Sequence, residues 1–114
     1  MIKSVLFVCL GNICRSPTAE CIFREKAKIS KLDIFCDSAG TASWHVGSFP
    51  YQPMQLAAKN RGFDISKLRA RQIKIADFNE FDLFCEESGM FRGKDPLAQT
   101  FVVGSGSVYS VLIL

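Results

Sequence analysis

At 114 residues the chain is the size of one domain, residues 1–114, with room for a modest core and little redundancy. A formal net charge of +3, from 14 basic and 11 acidic residues scattered without a basic stripe, gives no footprint for nucleic acid. Five cysteines without a C-x-x-C pair, and a single histidine at His45, argue against a disulfide framework, a zinc site or another metal.

In chain order, Ile2 to Val8 is short, apolar and rich in β-branched and aromatic side chains, which predicts a buried strand. This run is too short for a signal peptide, and Gly11-Asn12 interrupts it. Ser16 is a good N-cap and Pro17 suits the first helical position. Ala19, Ile22, Phe23 and Ala27 then recur at helical spacing. Leu32 to Cys36 predicts a second strand, and Thr41 to Pro53 a long loop carrying Trp44, Phe49 and Tyr51. Pro53 to Asn60 predicts a helix stopped at Gly62, Ala76 to Glu80 a short helix, and Phe81 to Cys85 a third strand. In the tail, Phe101 to Val103 and Val108 to Leu114 flank a Gly-Ser turn and suggest a hairpin. Strands alternating with helices imply an α/β fold, a three-layer open parallel sheet with right-handed crossovers. No segment approaches the ~20 apolar residues of a spanning helix, so a cytoplasmic protein without a membrane partner is expected.

The loop from Cys9 to Arg15 carries the chemistry. It lies at the carboxyl end of a strand and the amino end of a helix, the crevice where open α/β sheets bind ligands. Loop N–H groups and the helix dipole both suit a phosphate there. Cys9 is the candidate nucleophile, since the surrounding donors, Arg15 and Ser16 would stabilise its thiolate. Arg15 offers a planar fork for two phosphate oxygens and follows them into the transition state. Gly11 can take a positive φ and curl the amides inward, while Asn12 can brace that turn. Leu10, Ile13, Cys14 and Ser16 complete the phosphate-holding set. The competing reading is a buried structural cysteine beside a helix-capping arginine. Trp44 is the loop aromatic favoured for substrate contact, against burial in the core. Cys21 and Cys36 read as buried small apolar residues.

The stretch Val8-Cys9-Leu10-Gly11-Asn12-Ile13-Cys14-Arg15-Ser16-Pro17-Thr18-Ala19-Glu20 resembles the signature of the low-molecular-weight protein tyrosine phosphatases. The resemblance continues through Asp37 to Thr41, Trp44 to Gly47 and Arg69 to Ile73, and ends near Asp82. It implies the Rossmann-like phosphotyrosine phosphatase I fold, with no cofactor and a phosphotyrosine-containing protein or small aryl phosphate as substrate. It further implies a phosphocysteine at Cys9, a phosphoryl clamp at Arg15, loop support from Asn12, Ser16 and Ser38, and an aromatic rim at Trp44. For Cys14 it implies a reversible disulfide with Cys9; simple packing beneath the loop is the alternative.

Residues 83–114 depart from the pattern, as a truncated, altered or variant C-terminal part would. The family's general acid lies in an Asp-Pro-aromatic motif, whereas Asp95-Pro96 is followed here by Leu97. Loss of an acid costs ~10²–10⁴-fold in rate. Two rival functions follow: a phosphate- or phosphotyrosine-binding remnant without turnover, and a thiol-dependent arsenate reductase. The latter needs two further downstream cysteines, and only Cys85 stands in that half.

Overall fold

The computed structural model describes residues 2–86 and the backbone of 89–92. Its elements are β1 (Ser4–Cys9), α1 (Arg15–Ile29), β2 (Phe35–Gly40), α2 (Gln52–Asn60), α3 (Asp77–Glu80), β3 (Leu83–Glu86) and β4 (Gly89–Arg92). They build an α/β fold around a sheet of order β2-β1-β3-β4. The β1 strand pairs in parallel with both β2 and β3. Asp95-Pro96 and the expected tail hairpin lie outside the described residues.

The period-two alternation of β1 sorts its side chains between two layers. Leu6 and Val8 are buried on one face with Ile73, Phe78 and Phe84. Phe78 of α3 stacks on Phe84 of β3, with ring centroids 4.9 Å apart. Phe7 points the other way and meets Phe23 of α1 at 5.5 Å. Burial of each large side chain contributes about 1.5–3 kcal/mol, so β1 is held from both sides. Cys21 of α1, Ala58 of α2 and Ile65 form a second cluster.

Element boundaries shift from the sequence reading, and those of α1 and β2 do so for local reasons. Helix α1 begins at Arg15 with Cys14 in the cap position, two residues ahead of Ser16. The Ser16 hydroxyl is committed to Cys9 and Asn12 and is not free to cap. At its other end α1 runs to Ile29 and closes with the Leu32 N–H on the Ala27 carbonyl at 2.9 Å. Lys31 takes the left-handed turn there, φ 58°. Leu32 is therefore left half-exposed in a helix-ending turn, and β2 starts only where Phe35 pairs with Ser4. The strand continues through Asp37-Ser38-Ala39-Gly40, residues with weak strand preference, because pairing with β1 decides the matter. The expected parallel sheet is present as β2-β1-β3, and β4 adds an antiparallel edge strand beside β3. Two residues separate Glu86 from Gly89, whereas a parallel crossover needs about a dozen.

Candidate active site

β1 delivers Cys9 to the edge of a cleft, and α1 begins six residues later at Arg15. Backbone hydrogen bonds pin the loop between them to the segment that follows β2. Thr41 N–H donates to the Cys9 carbonyl at 3.0 Å, Ala42 N–H to Leu10 at 2.9 Å, and Tyr51 N–H to Ile13 at 2.6 Å. Gly40 permits this approach. A Cβ there would stand 2.9 Å from the Leu10 carbonyl oxygen and 3.1 Å from the Asn12 nitrogen.

The left-handed residue of the loop is Asn12, φ 58°, and not Gly11. Asparagine tolerates that region because its short amide bonds locally. Gly11 is needed for space instead, since a Cβ would meet His45 Cδ2 at 2.9 Å.

Cys9 is buried, and its sulfur is the focus of the loop. The Asn12 backbone N–H donates to Sγ at 3.2 Å, and the Ser16 hydroxyl lies 3.0 Å from it. Asn12 Nδ2 donates to Ser16 Oγ at 2.7 Å and to Ser38 Oγ at 3.0 Å. The Ser38 hydroxyl donates to Glu20 Oε1 at 2.6 Å, and Glu20 is ion-paired with Arg24. The Arg71 backbone N–H donates to Asn12 Oδ1 at 3.0 Å, which fixes the orientation of that amide.

A cleft of about 230 Å³ opens above the sulfur. Cys9, Leu10, Gly11, Ile13, Cys14 and Arg15 line it from the loop, with Trp44 and His45 across from them. Arg15 is exposed at the start of α1, whose cap residue makes no side-chain bond, so the helix terminus faces the same space. Trp44 is 62% exposed, consistent with a rim and not with a core residue. Asn12 and Ser16 are buried beneath the loop and do not line the cleft. Phe49 and Tyr51 are exposed and also absent from the lining; Phe49 packs under the Arg69 guanidinium at 3.8 Å. A larger groove of about 790 Å³ beside α2 holds no cysteine.

The described cysteines are all free thiols. Cys14 is half-buried in the cleft wall. Burial pushes the thiols of Cys21, Cys36 and Cys85 up from their ordinary value, as expected of packed structural groups. Cys85 pairs with Phe7 in the sheet and is not part of the cleft lining. Among the described residues, no carboxylate lines the cleft.

Four contributors lie inside the resembling stretches but carry no role in the sequence reading. His45 is one, and Gly40 matters only through a neighbour distant in sequence. Glu20 looks like an ordinary helix residue until Ser38 is seen against it. Arg71 holds the far end of the framework: its guanidinium forks onto Asp77 at 3.0 and 3.1 Å and reaches Asp37 at 3.1 Å. Burial works against that cation, but the bonds to Asp77 and the nearby carboxylates raise its pKa above the ordinary value.

Comparison with known proteins places this arrangement. The family model described as "Low molecular weight phosphotyrosine protein phosphatase" matches residues 4–86. Low molecular weight protein-tyrosine-phosphatase YfkJ of Bacillus subtilis is 47% identical over 81 residues, covering 69% of this chain and 52% of that protein. The low molecular weight phosphotyrosine protein phosphatase of Schizosaccharomyces pombe is 45% identical over 92 residues, 77% of this chain and 58% of its own. The crystal structure of YfkJ superposes with a TM-score of 0.71 at 43% identity, over 75% of this chain and 55% of that one. The chain thus spans about half the length of the curated relatives it matches.

Proposed function

The chain belongs to the low molecular weight phosphotyrosine protein phosphatase family, and from that premise we propose that it cleaves aryl phosphomonoesters through a phosphocysteine at Cys9. The observation that carries this reading is the Cys9 sulfur, held by the Asn12 N–H and the Ser16 hydroxyl at the floor of a cleft edged by Arg15. In the first step the Cys9 thiolate attacks phosphorus and the bond to the aryl oxygen breaks. The S–P bond forms, and the phenolate leaves with its electron pair and takes up a proton. Arg15 and the loop N–H groups carry the charge on the three equatorial oxygens. Water then attacks phosphorus and gives up a proton to solvent, the S–P bond breaks, inorganic phosphate departs and the Cys9 thiolate is regenerated. Trp44 flanks the aryl ring at the rim.

The substrates of this reading are phosphotyrosine-containing proteins or small aryl phosphates. A thiolate nucleophile requires a reducing compartment, so the proposed location is the cytoplasm. Residues 1–114 act as one phosphatase-like domain.

A second reading, phosphate or phosphotyrosine binding without turnover, is favoured by one observation: no carboxylate lines the cleft among the described residues. One experiment separates the two. The protein is mixed with a phosphotyrosine peptide, quenched in acid, and mapped for phosphate on the Cys9 peptide. Transient phosphocysteine with released phosphate supports the hydrolase, whereas phosphopeptide binding with no label on Cys9 supports the binding site.

A further inference from the structure

We infer that Arg69, laid over the Phe49 ring, is a specificity-determining contact beside the cleft that selects substrate peptides with a carboxylate close to the phosphotyrosine. The inference narrows the substrate class of the proposed phosphatase site and rests on that reading.

Arg69 is exposed, yet its guanidinium is fixed by three contacts. The Phe49 ring lies against it, with the guanidinium carbon 3.8 Å from the ring centroid. Its Nη1 donates to the Ser66 carbonyl at 2.8 Å and to the Leu68 carbonyl at 2.7 Å. Among the described residues no carboxylate pairs with it, and no acceptor takes its Nε or Nη2 hydrogens. Ordering a long side chain normally weakens binding, but here the order already exists in the free protein. The open edge of the guanidinium keeps two parallel donors, the pattern that matches a carboxylate. Lys67, also exposed and two residues away, makes none of these contacts.

The backbone sets this cation next to the cleft. Gly47 N–H donates to the Ala70 carbonyl at 2.8 Å, and Ala70 N–H donates to the Ser48 carbonyl at 3.0 Å. The segment that follows Trp44 and His45 is thereby laced to the neighbour of Arg69. Two residues beyond Phe49, Tyr51 N–H donates to the carbonyl of Ile13, a residue of the cleft lining. Two residues of chain reach at most about 7 Å, and four about 14 Å. An extended peptide with its phosphate in the cleft therefore brings a carboxylate to Arg69 from two to four residues away.

The test is binding of phosphonate peptides to the full chain, read by fluorescence anisotropy. In these peptides a phosphonomethyl group replaces the phosphate ester of tyrosine, so no turnover is needed. A single Glu is walked over the five positions on either side in an otherwise uncharged peptide, each compared with Gln at that position. Glu at one or two positions, two to four residues from the aryl group, is expected to bind about fivefold tighter than Gln, the upper end for an exposed charge pair. Arg69→Gln removes this difference, Phe49→Leu reduces it, and Lys67→Gln leaves it in place. Arg69→Glu converts it into a preference for Lys over Gln at the same position.

No position that separates Glu from Gln in the wild type overturns the inference. So does an equal loss in Lys67→Gln, the mark of diffuse charge. Should Arg69→Gln fail to fold, Arg69→Lys keeps the charge without the paired donors and must lose most of the preference; full preference in that variant also overturns it. Phosphonate binding without a Glu preference sinks this inference alone, and no phosphonate binding at all sinks it together with the cleft reading. A Glu preference without phosphocysteine at Cys9 supports the inference and counts against turnover only.

Discussion

Individual atoms decide whether the loop holds an anion. Arg15 stands at the cleft and the Asn12 N–H and Ser16 hydroxyl converge on the sulfur, so each has a separable effect. Arg15→Ala is expected to lower phosphoryl transfer to Cys9 by ~10²–10³-fold, the usual cost of one preorganised donor. Rapid-quench measurement of transfer from p-nitrophenyl phosphate checks this, and a change under threefold would remove Arg15 from the clamp. Gly40→Ala tests the framework. Its new Cβ would press on the Leu10 carbonyl and the backbone from Gly11 to Asn12, none of which can swing aside. A loss of about 1–3 kcal/mol is expected from urea unfolding, together with slower transfer to Cys9. The loop that joins Cys9 to Arg15 between a strand and a helix start was legible from residue types and spacing. The roles of Gly40 and Glu20 were not, because their partners are distant in sequence and meet them only where β2 packs beside β1.

Among elements, pairing and packing override local preference, and this is where the sequence read least well. The β2 strand was legible as an element but displaced by several residues. Its buried Ser38-Ala39-Gly40 end is set by register against β1 and by the loop lying over it, which no local pattern announces. The short α3 was read from its own residues, yet its purpose is visible only in contact. Asp77 of α3 is fully buried and receives the Arg71 fork along with the Lys74 N–H at 2.8 Å. Asp77→Asn leaves the Arg71 cation without its main partner and is expected to cost about 3–5 kcal/mol. A urea midpoint within error of the wild type would contradict that assignment.

A second stitch joins the starts of β1 and β3. Lys3 N–H donates to Asp82 Oδ2 at 2.8 Å, while Asp82 N–H bonds Ser4 Oγ at 3.0 Å. The Lys3 N–H, aided by the Ser4 contacts, holds the Asp82 carboxyl below its ordinary value. A depressed folded-state value means that its stabilisation is present above about pH 4 and is lost as pH falls through that region. Asp82→Asn is therefore expected to flatten the acid side of the stability profile, measured by thermal melts from pH 7 downward, and to leave its slope above pH 6 unchanged.

For the whole molecule, the α/β class and the family were legible because the loop motif sits at a strand-to-helix junction, a context that few other arrangements share. The antiparallel β4 was not, since two intervening residues say that the chain returns without saying what it pairs with. The proposed reading assigns attack and charge stabilisation to the described cleft, whose described lining holds no carboxylate. Under that reading, leaving groups that depart as stable anions are expected to be the favourable ones. The account predicts that p-nitrophenyl phosphate transfers to Cys9 at least ~10²-fold faster than phenyl phosphate, the span of missing general-acid help. Equal rates would show that a proton donor serves the site.

The most direct test of the central claim is a pre-steady-state burst of nitrophenol from p-nitrophenyl phosphate, with the wild type beside Cys9→Ser. A burst approaching one equivalent in the wild type, followed by slower turnover and absent from Cys9→Ser, is the predicted result. No nitrophenol from folded wild-type protein would contradict Cys9 as a phosphoryl-accepting nucleophile.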